Sequence, residues 1–202
     1  REGRVEGLAR RGGADRIQFR RYLPDPSIEG RLLSDVAAER GQDPIATAVD
    51  LIKRGSVSIV SFNMHVDDVE TLMQQPWTMT SSDGGLVPKG EGVPHPRTYG
   101  AFARKIRLYV NEKGTVGLPQ AIRSMTGLPA SVFGMPDRGV LRAGAAADVV
   151  VFDLESVRDV AEYTDPHHYA EGMVYVFVNG VAVVQDGAFT GARPGRVLLK
   201  GR

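Results

Sequence analysis

Between residues 15 and 83 the hydrophobic positions change period several times. The stretch ADRIQFRRYLPDP carries a short apolar run that stops at prolines, which predicts a strand. In EGRLLSDVAAERGQDPIATAVDLIKRG, Leu32, Leu33, Val36 and Ala37 fall on one helical stripe. Ile45, Ala48, Val49 and Ile52 form a second stripe behind an Asp43-Pro44 start signal. Two helices separated by Arg40-Gly41-Gln42 are therefore predicted. The β-branched run VSIVSF predicts a further strand, and HVDDVETLMQQP predicts a helix with Val66, Val69, Leu72 and Met73 on one face. WTMTSS reads as another short strand, with Asp83 at its C-terminal end. Strand, helix, strand in that order is the pattern of a parallel crossover, and such folds bind ligands at the carboxyl ends of their strands.

Beyond the glycine-rich loop, helices are predicted over YGAFARKIRLYVNEKG and PQAIRSMTG. Near residue 139 the pattern changes again. GVLRAGAAADVVVFDL approaches a strong strand through small residues, and GMVYVFVNGVAVVQDGAF sets Asn179-Gly180 between two apolar β runs, a hairpin signal. Asp186-Gly187 supplies a second turn. These changes divide the chain into an α/β region over 1–138 and a small β region over 139–202.

Composition narrows the setting. The 202 residues are 42% hydrophobic, enough for a real core. With 25 basic against 24 acidic side chains, neither an acidic-substrate groove nor a nucleic-acid surface is supported. RVEGLARRGG and FRRY read as solvated helix and loop faces. The chain has no cysteine, so disulfides, thiolate ligands and cysteine nucleophiles are all excluded. No apolar run approaches the roughly 20 residues of a membrane span, and the first residues lack the apolar core of a signal peptide. A cytoplasmic setting is expected, without a membrane partner. The sequence begins without methionine and in mid-pattern, as though upstream sequence had been cut away.

Few side chains remain for chemistry. Asp83, in TSSDGG, reads first as an ordinary Asp-Gly-Gly turn, and second as a carboxylate at a strand mouth that binds a metal or moves a proton. Arg97 could clamp a carboxylate through its donor fork, or simply pair with a local acid at a helix start. His95 sits between Pro94 and Pro96, so its backbone is restrained; it can serve a ligand or fasten a loop. Tyr99 could line the same pocket or be a half-buried packing residue. His65, His167 and His168 lack metal-ligand spacing, and read as capping or loop-packing residues. Phosphate-binding loops, dinucleotide fingerprints and nucleophile elbows are missing from the sequence.

Several distinct motifs nevertheless occur in a telling order: SSDGG, HPRTYGAF, SMTGLPASVFG, DRGVLRAGAAADVVVFD, DPHHYAEGMVYVFVNG, VVQDG and TGARPGR. Together they resemble the C-terminal part of the D-aminoacylases, or N-acyl-D-amino-acid deacylases, of the metal-dependent amidohydrolase superfamily. The resemblance runs from about residue 24 and is most specific from Asp83 to Gly195. It implies an α/β chain: the later part of a TIM-like barrel with an insertion segment, then part of a small β-sandwich-type domain. WTMTSS would be the last barrel strand. Asp83 would be the acid at its end, lying at the metal centre and exchanging a proton with the hydrolytic water. Arg97 matches the arginine that holds the α-carboxylate of the N-acyl-D-amino acid; His95 and Tyr99 would shape or line that pocket.

The resemblance also implies zinc in the complete enzyme. This chain offers Asp83 as one candidate ligand and no companions for it, so no tightly bound metal is expected on the chain alone. The expected partners are the substrate, an N-terminal half or complementary chain, and further copies in an oligomer. By itself the chain is expected to be inactive. A cyclic-amide hydrolase of the same superfamily and a noncatalytic structural module are the alternative readings.

Overall fold

The computed structural model describes residues 2–198, and the side chains of residues 6–198. Its elements divide into two compact units that interleave along the chain: residues 1–66, 84–98 and 161–167 in one, residues 67–83, 99–160 and 168–202 in the other.

The first unit opens with α1 (Glu2–Arg10) and β1 (Ile17–Arg21), followed by α2 (Leu33–Glu39), α3 (Pro44–Arg54) and β2 (Ser58–Ser61). Both predicted helices form where the stripes place them. Asp43 caps α3, accepting the Ile45 and Ala46 N–H groups at 2.9 and 3.1 Å, with Pro44 in the first helical position where its missing N–H costs nothing. The core gathers Ile17 and Phe19 from β1, Leu33 and Val36 from α2, Leu51 from α3, and Tyr22 and Ile28 from the intervening turn. Tyr22 is only 1% exposed, and it can be buried because its hydroxyl donates to the Leu51 carbonyl at 2.9 Å. β1 and β2 pair antiparallel, Phe19 opposite Ile59.

This pairing corrects the predicted crossover. VSIVSF is a strand, but its partner is β1 and the sheet is antiparallel. After it comes α4 (Val66–Met73), as the period predicts. WTMTSS, however, forms no strand. A strand exists only through a neighbouring strand's hydrogen bonds, and among the described residues no strand pairs with WTMTSS. Its Thr80 N–H donates instead to the Ser124 carbonyl, 2.9 Å away on a helix.

The remaining helices are α5 (Arg97–Arg104), α6 (Leu118–Met125) and α7 (Gly127–Phe133). α5 runs without a break into a π-helix over Lys105–Glu112, whose i→i−5 pattern continues at its end with Lys113 N–H donating to Leu108 O at 2.9 Å. Four strands complete the second unit: β3 (Val149–Phe152), β4 (Met173–Val178), β5 (Val181–Gln185) and β6 (Ala188–Phe189), antiparallel in the order β3-β4-β5-β6. Both predicted turns form. Asn179-Gly180 and Asp186-Gly187 adopt the paired positive φ values (49° and 80°, 49° and 77°) that two-residue hairpin turns demand. Ala103, Ile106 and Val157 bury together, and Ile122, Met125, Phe152 and Met173 pack around them, so helices and sheet share one core.

The result is a mixed α/β fold with a small four-stranded antiparallel sheet in the second unit. Among the described residues, no helix is long and apolar enough to cross a membrane.

Candidate functional site

Asp83 ends the irregular segment that follows α4, and it is exposed. Its φ is 45°, in the left-handed region. Among the described residues the other two non-glycine residues with positive φ, Asn179 and Asp186, sit in hairpin turns that demand it; Asp83 has no hairpin to serve. Aspartate tolerates this conformation better than most residues, and an observed outlier of this kind is a reason to look for function.

The segment leading to Asp83 is held by side chains in place of a sheet. Lys105, at the start of the π-helix, is 4% exposed, and its Nζ donates to Thr80 Oγ1 at 2.6 Å and to Ser124 Oγ at 2.8 Å. Burial lowers the pKa of this ammonium from the ordinary lysine value. From α6, Arg123 donates to the Pro76 carbonyl at 2.9 Å and Gln120 to the Gln74 carbonyl at 2.8 Å. The predicted helical stripes do not reveal Lys105. The wider π turn changes which residues share a face, and a lysine in KIRLYV gives no sequence signal of burial.

Arg97 opens α5. The preceding His95 organises that start: its Nδ1 accepts the Arg97 N–H at 3.1 Å, and its carbonyl accepts the Thr98 N–H at 2.9 Å. A ring nitrogen that accepts cannot carry the proton, so in the neutral ring the proton sits on Nε2, which donates to the Tyr163 hydroxyl at 3.3 Å. Tyr163 meets the His95 ring edge-on at 4.9 Å and Phe62 at 4.7 Å. His95 is thus engaged at both nitrogens and acts as a clamp on the HPR turn. His167 does the same for the loop ahead of it, accepting from Gly90 N–H at 3.1 Å through Nδ1 and donating to Gly92 O at 3.0 Å through Nε2.

Gly84, peptide-bonded to Asp83, lies against the backbone of the HPR turn. A Cβ at Gly84 would stand 3.0 Å from Thr98 Cα and 3.2 Å from the Arg97 carbonyl oxygen, so only glycine fits without displacing backbone. The second residue of the Asp-Gly pair and the Arg-Thr pair therefore meet directly.

Tyr99 turns to other company. Its ring meets Tyr169 edge-on at 5.5 Å, and Tyr169 meets Phe189 at 5.0 Å. Burial, and then the neighbouring Tyr169, push the Tyr99 phenol above its ordinary pKa, which keeps it a neutral hydroxyl.

Among the described residues, no group of three or more His, Cys, Asp or Glu side chains is placed to hold a metal ion. These residues therefore do not by themselves fit a zinc centre, for which three or four ligands are needed.

Residues 5–184 match the model of the amidohydrolase family. The chain is 41% identical over 177 residues to D-aminoacylase from Alcaligenes xylosoxydans xylosoxydans, covering 88% of this chain and 35% of that protein. It is 39% identical over 186 residues to N-acyl-D-glutamate deacylase from the same organism, covering 92% and 37%. The crystal structure of N-acyl-D-glutamate deacylase from Bordetella bronchiseptica, complexed with zinc and a phosphonate inhibitor, superposes with a TM-score of 0.82 at 37% identity, covering 95% of this chain and 39% of that one. The chain thus spans a little over a third of the length of these relatives. The match to the family model, the 39–41% identities and the shared fold agree: the chain belongs to the amidohydrolase family, within which it is similar to the D-aminoacylases and N-acyl-D-amino-acid deacylases.

Proposed function

We propose that this chain is the C-terminal portion of a zinc-dependent deacylase that hydrolyses N-acyl-D-amino acids to a D-amino acid and a carboxylate. The observation that carries the reading is the close packing of Gly84 on Arg97 and Thr98, because it joins the motif of the acid to that of the arginine at the backbone. The identities of 39–41% to proteins named for this activity support it.

In this reading Asp83 is the proton carrier. Amide hydrolysis needs a proton removed from the attacking water and one delivered to the departing amine, and a carboxylate beside the scissile bond can do both in turn. Its exposed, left-handed placement leaves the carboxylate unburied. Arg97 is the anchor for the substrate α-carboxylate: a guanidinium offers two parallel N–H donors that match the two oxygens. His95, by fixing the first turn of α5, sets where that guanidinium begins. Tyr99 lines the substrate pocket with a neutral phenol.

Zinc belongs to the complete enzyme, with its ligands coming chiefly from an N-terminal segment outside these 202 residues. Without that segment the chain is inactive. The test is to supply the matching N-terminal segment and zinc, and to assay release of D-amino acids from N-acetyl-D-amino acids. Turnover supports the reading. A zinc-loaded assembly that leaves a broad panel of these substrates intact refutes it.

A further inference from the structure

Lys105 carries a buried ammonium that the proposed chemistry does not use. It sits on the π-helix of the second unit, only 4% exposed, where an apolar side chain would avoid the cost of desolvating a charge. The ammonium closes a triangle of hydrogen bonds: Nζ donates to Thr80 Oγ1 at 2.6 Å and to Ser124 Oγ at 2.8 Å, and the two hydroxyls lie 3.0 Å apart. Ser124 gives its one hydroxyl proton to the Ala121 carbonyl at 2.7 Å, so it meets both Lys105 and Thr80 as an acceptor. Thr80 therefore accepts from Lys105 and donates to Ser124. Both hydroxyls are held in one orientation, and a buried network satisfied in this way rigidifies the elements it joins.

Those elements are the π-helix, α6 and the irregular segment that ends at Asp83. Three side chains of the two helices tie this segment down: Gln120 at the Gln74 carbonyl, Arg123 at the Pro76 carbonyl and Lys105 at Thr80. Of these ties, the one at Thr80 lies nearest to Asp83, three residues before it. The Thr80 N–H, which donates to the Ser124 carbonyl at 2.9 Å, fixes the backbone at the same point. Among the described residues no strand pairs with the segment, so these ties take the place of a sheet.

We propose that Lys105 is a positioning residue for Asp83: by clamping Thr80 to Ser124 it sets the course of the last residues of the segment, and so the place from which the Asp83 carboxylate moves its proton. The inference rests on the proposed deacylase reading, in which Asp83 is the proton carrier. Proton transfer demands a heavy-atom approach of about 2.6–3.2 Å, which a segment without a sheet reaches only if its end is fixed. Lys105 acts through the backbone, and not on the substrate.

The experiment is a double-mutant cycle on the chain assembled with its N-terminal segment and zinc, with N-acetyl-D-amino acids as substrates. A misplacement of about 1 Å can cost about a hundredfold, and Lys105→Met, which spares the Thr80–Ser124 contact, should lower kcat by about tenfold and leave KM unchanged. In an Asp83→Ala background the same substitution should lower kcat no further, because groups that act as one unit are not additive. An unchanged kcat in the single variant overturns the proposal. So does a fall of equal size in both backgrounds, which is what a general loosening of the structure produces. If the assembly hydrolyses no N-acyl-D-amino acid, the deacylase reading is what fails. The hold on the segment is then judged by ¹⁵N relaxation of the 202-residue chain. Backbone order parameters over residues 80–83 that fall in Lys105→Met from about 0.85 towards about 0.6 uphold the positioning role, and unchanged values reject it.

Discussion

Gly84 approaches Thr98 so closely that the space for a Cβ is already filled, with Thr98 Cα 3.0 Å from where it would lie. The neighbour Gly85 faces nothing within 4 Å. The two glycines of one motif are therefore inequivalent. Gly84→Ala must displace the first turn of α5 and is expected to destabilise by about 1–3 kcal/mol, as overpacking does. Gly85→Ala is expected to be neutral or stabilising by up to about 1 kcal/mol, through the unfolded chain. Urea denaturation of the two variants checks the difference. Equal effects would mean that the Gly84 contact does not hold the turn.

Lys105 ties the irregular segment before Asp83 to α6 through Thr80 and Ser124. Burying an ammonium costs free energy that an apolar side chain of similar volume does not, while the two hydroxyls keep their own contact at 3.0 Å. Lys105→Met is therefore expected to leave the unfolding midpoint nearly unchanged or raise it. The Thr80 amide, however, should exchange its hydrogen roughly tenfold faster as the segment loosens. Hydrogen exchange on the variant reads this directly, and an unchanged Thr80 amide would show that the ammonium does not hold the segment.

Asp159 receives Arg107 Nε at 2.7 Å and Arg104 Nη1 at 3.1 Å with only 7% of its side chain exposed. Burial by itself would raise its carboxyl, but the two arginines outweigh burial and lower the pKa from the ordinary 3.8. A depressed carboxyl gives stability that is fully present above the unfolded-chain value and is lost as pH falls through the folded one. Asp159→Asn is expected to cost about 1–3 kcal/mol near pH 7. The gap between wild type and variant should narrow as pH falls below about 3.8. Denaturation series at several pH values check the sign, and a gap that widens in acid would contradict it.

Where local signals and tertiary partners agreed, the pattern of the chain was a good guide. The Asp43-Pro44 cap, the α2 and α3 stripes and the Asn179-Gly180 turn all involve residues whose backbone chemistry is decided within a few positions. WTMTSS failed because a strand needs a partner that the run itself does not specify; the structure ties Thr80 to Ser124, 44 residues away. Lys105 was invisible for a related reason, since its burial depends on the π turn and on distant hydroxyls. Asp83, His95, Arg97 and Tyr99 were legible as candidates from their motifs. What no pattern could supply was the Gly84 contact or the tautomer of His95, both of which depend on residues brought together in space.

The central claim is that Asp83 serves as the proton carrier of an N-acyl-D-amino-acid deacylase and Arg97 as its carboxylate anchor. The most direct measurement is the rate of D-amino-acid release from N-acetyl-D-amino acids by the chain assembled with its N-terminal segment and zinc. The account predicts turnover by the wild type and a fall in kcat of about 10²–10⁴ for Asp83→Ala, the usual size of a lost proton-transfer group. It would be contradicted by an assembly that binds zinc stoichiometrically yet deacylates none of a broad panel, or by an Asp83→Ala variant that works as well as wild type.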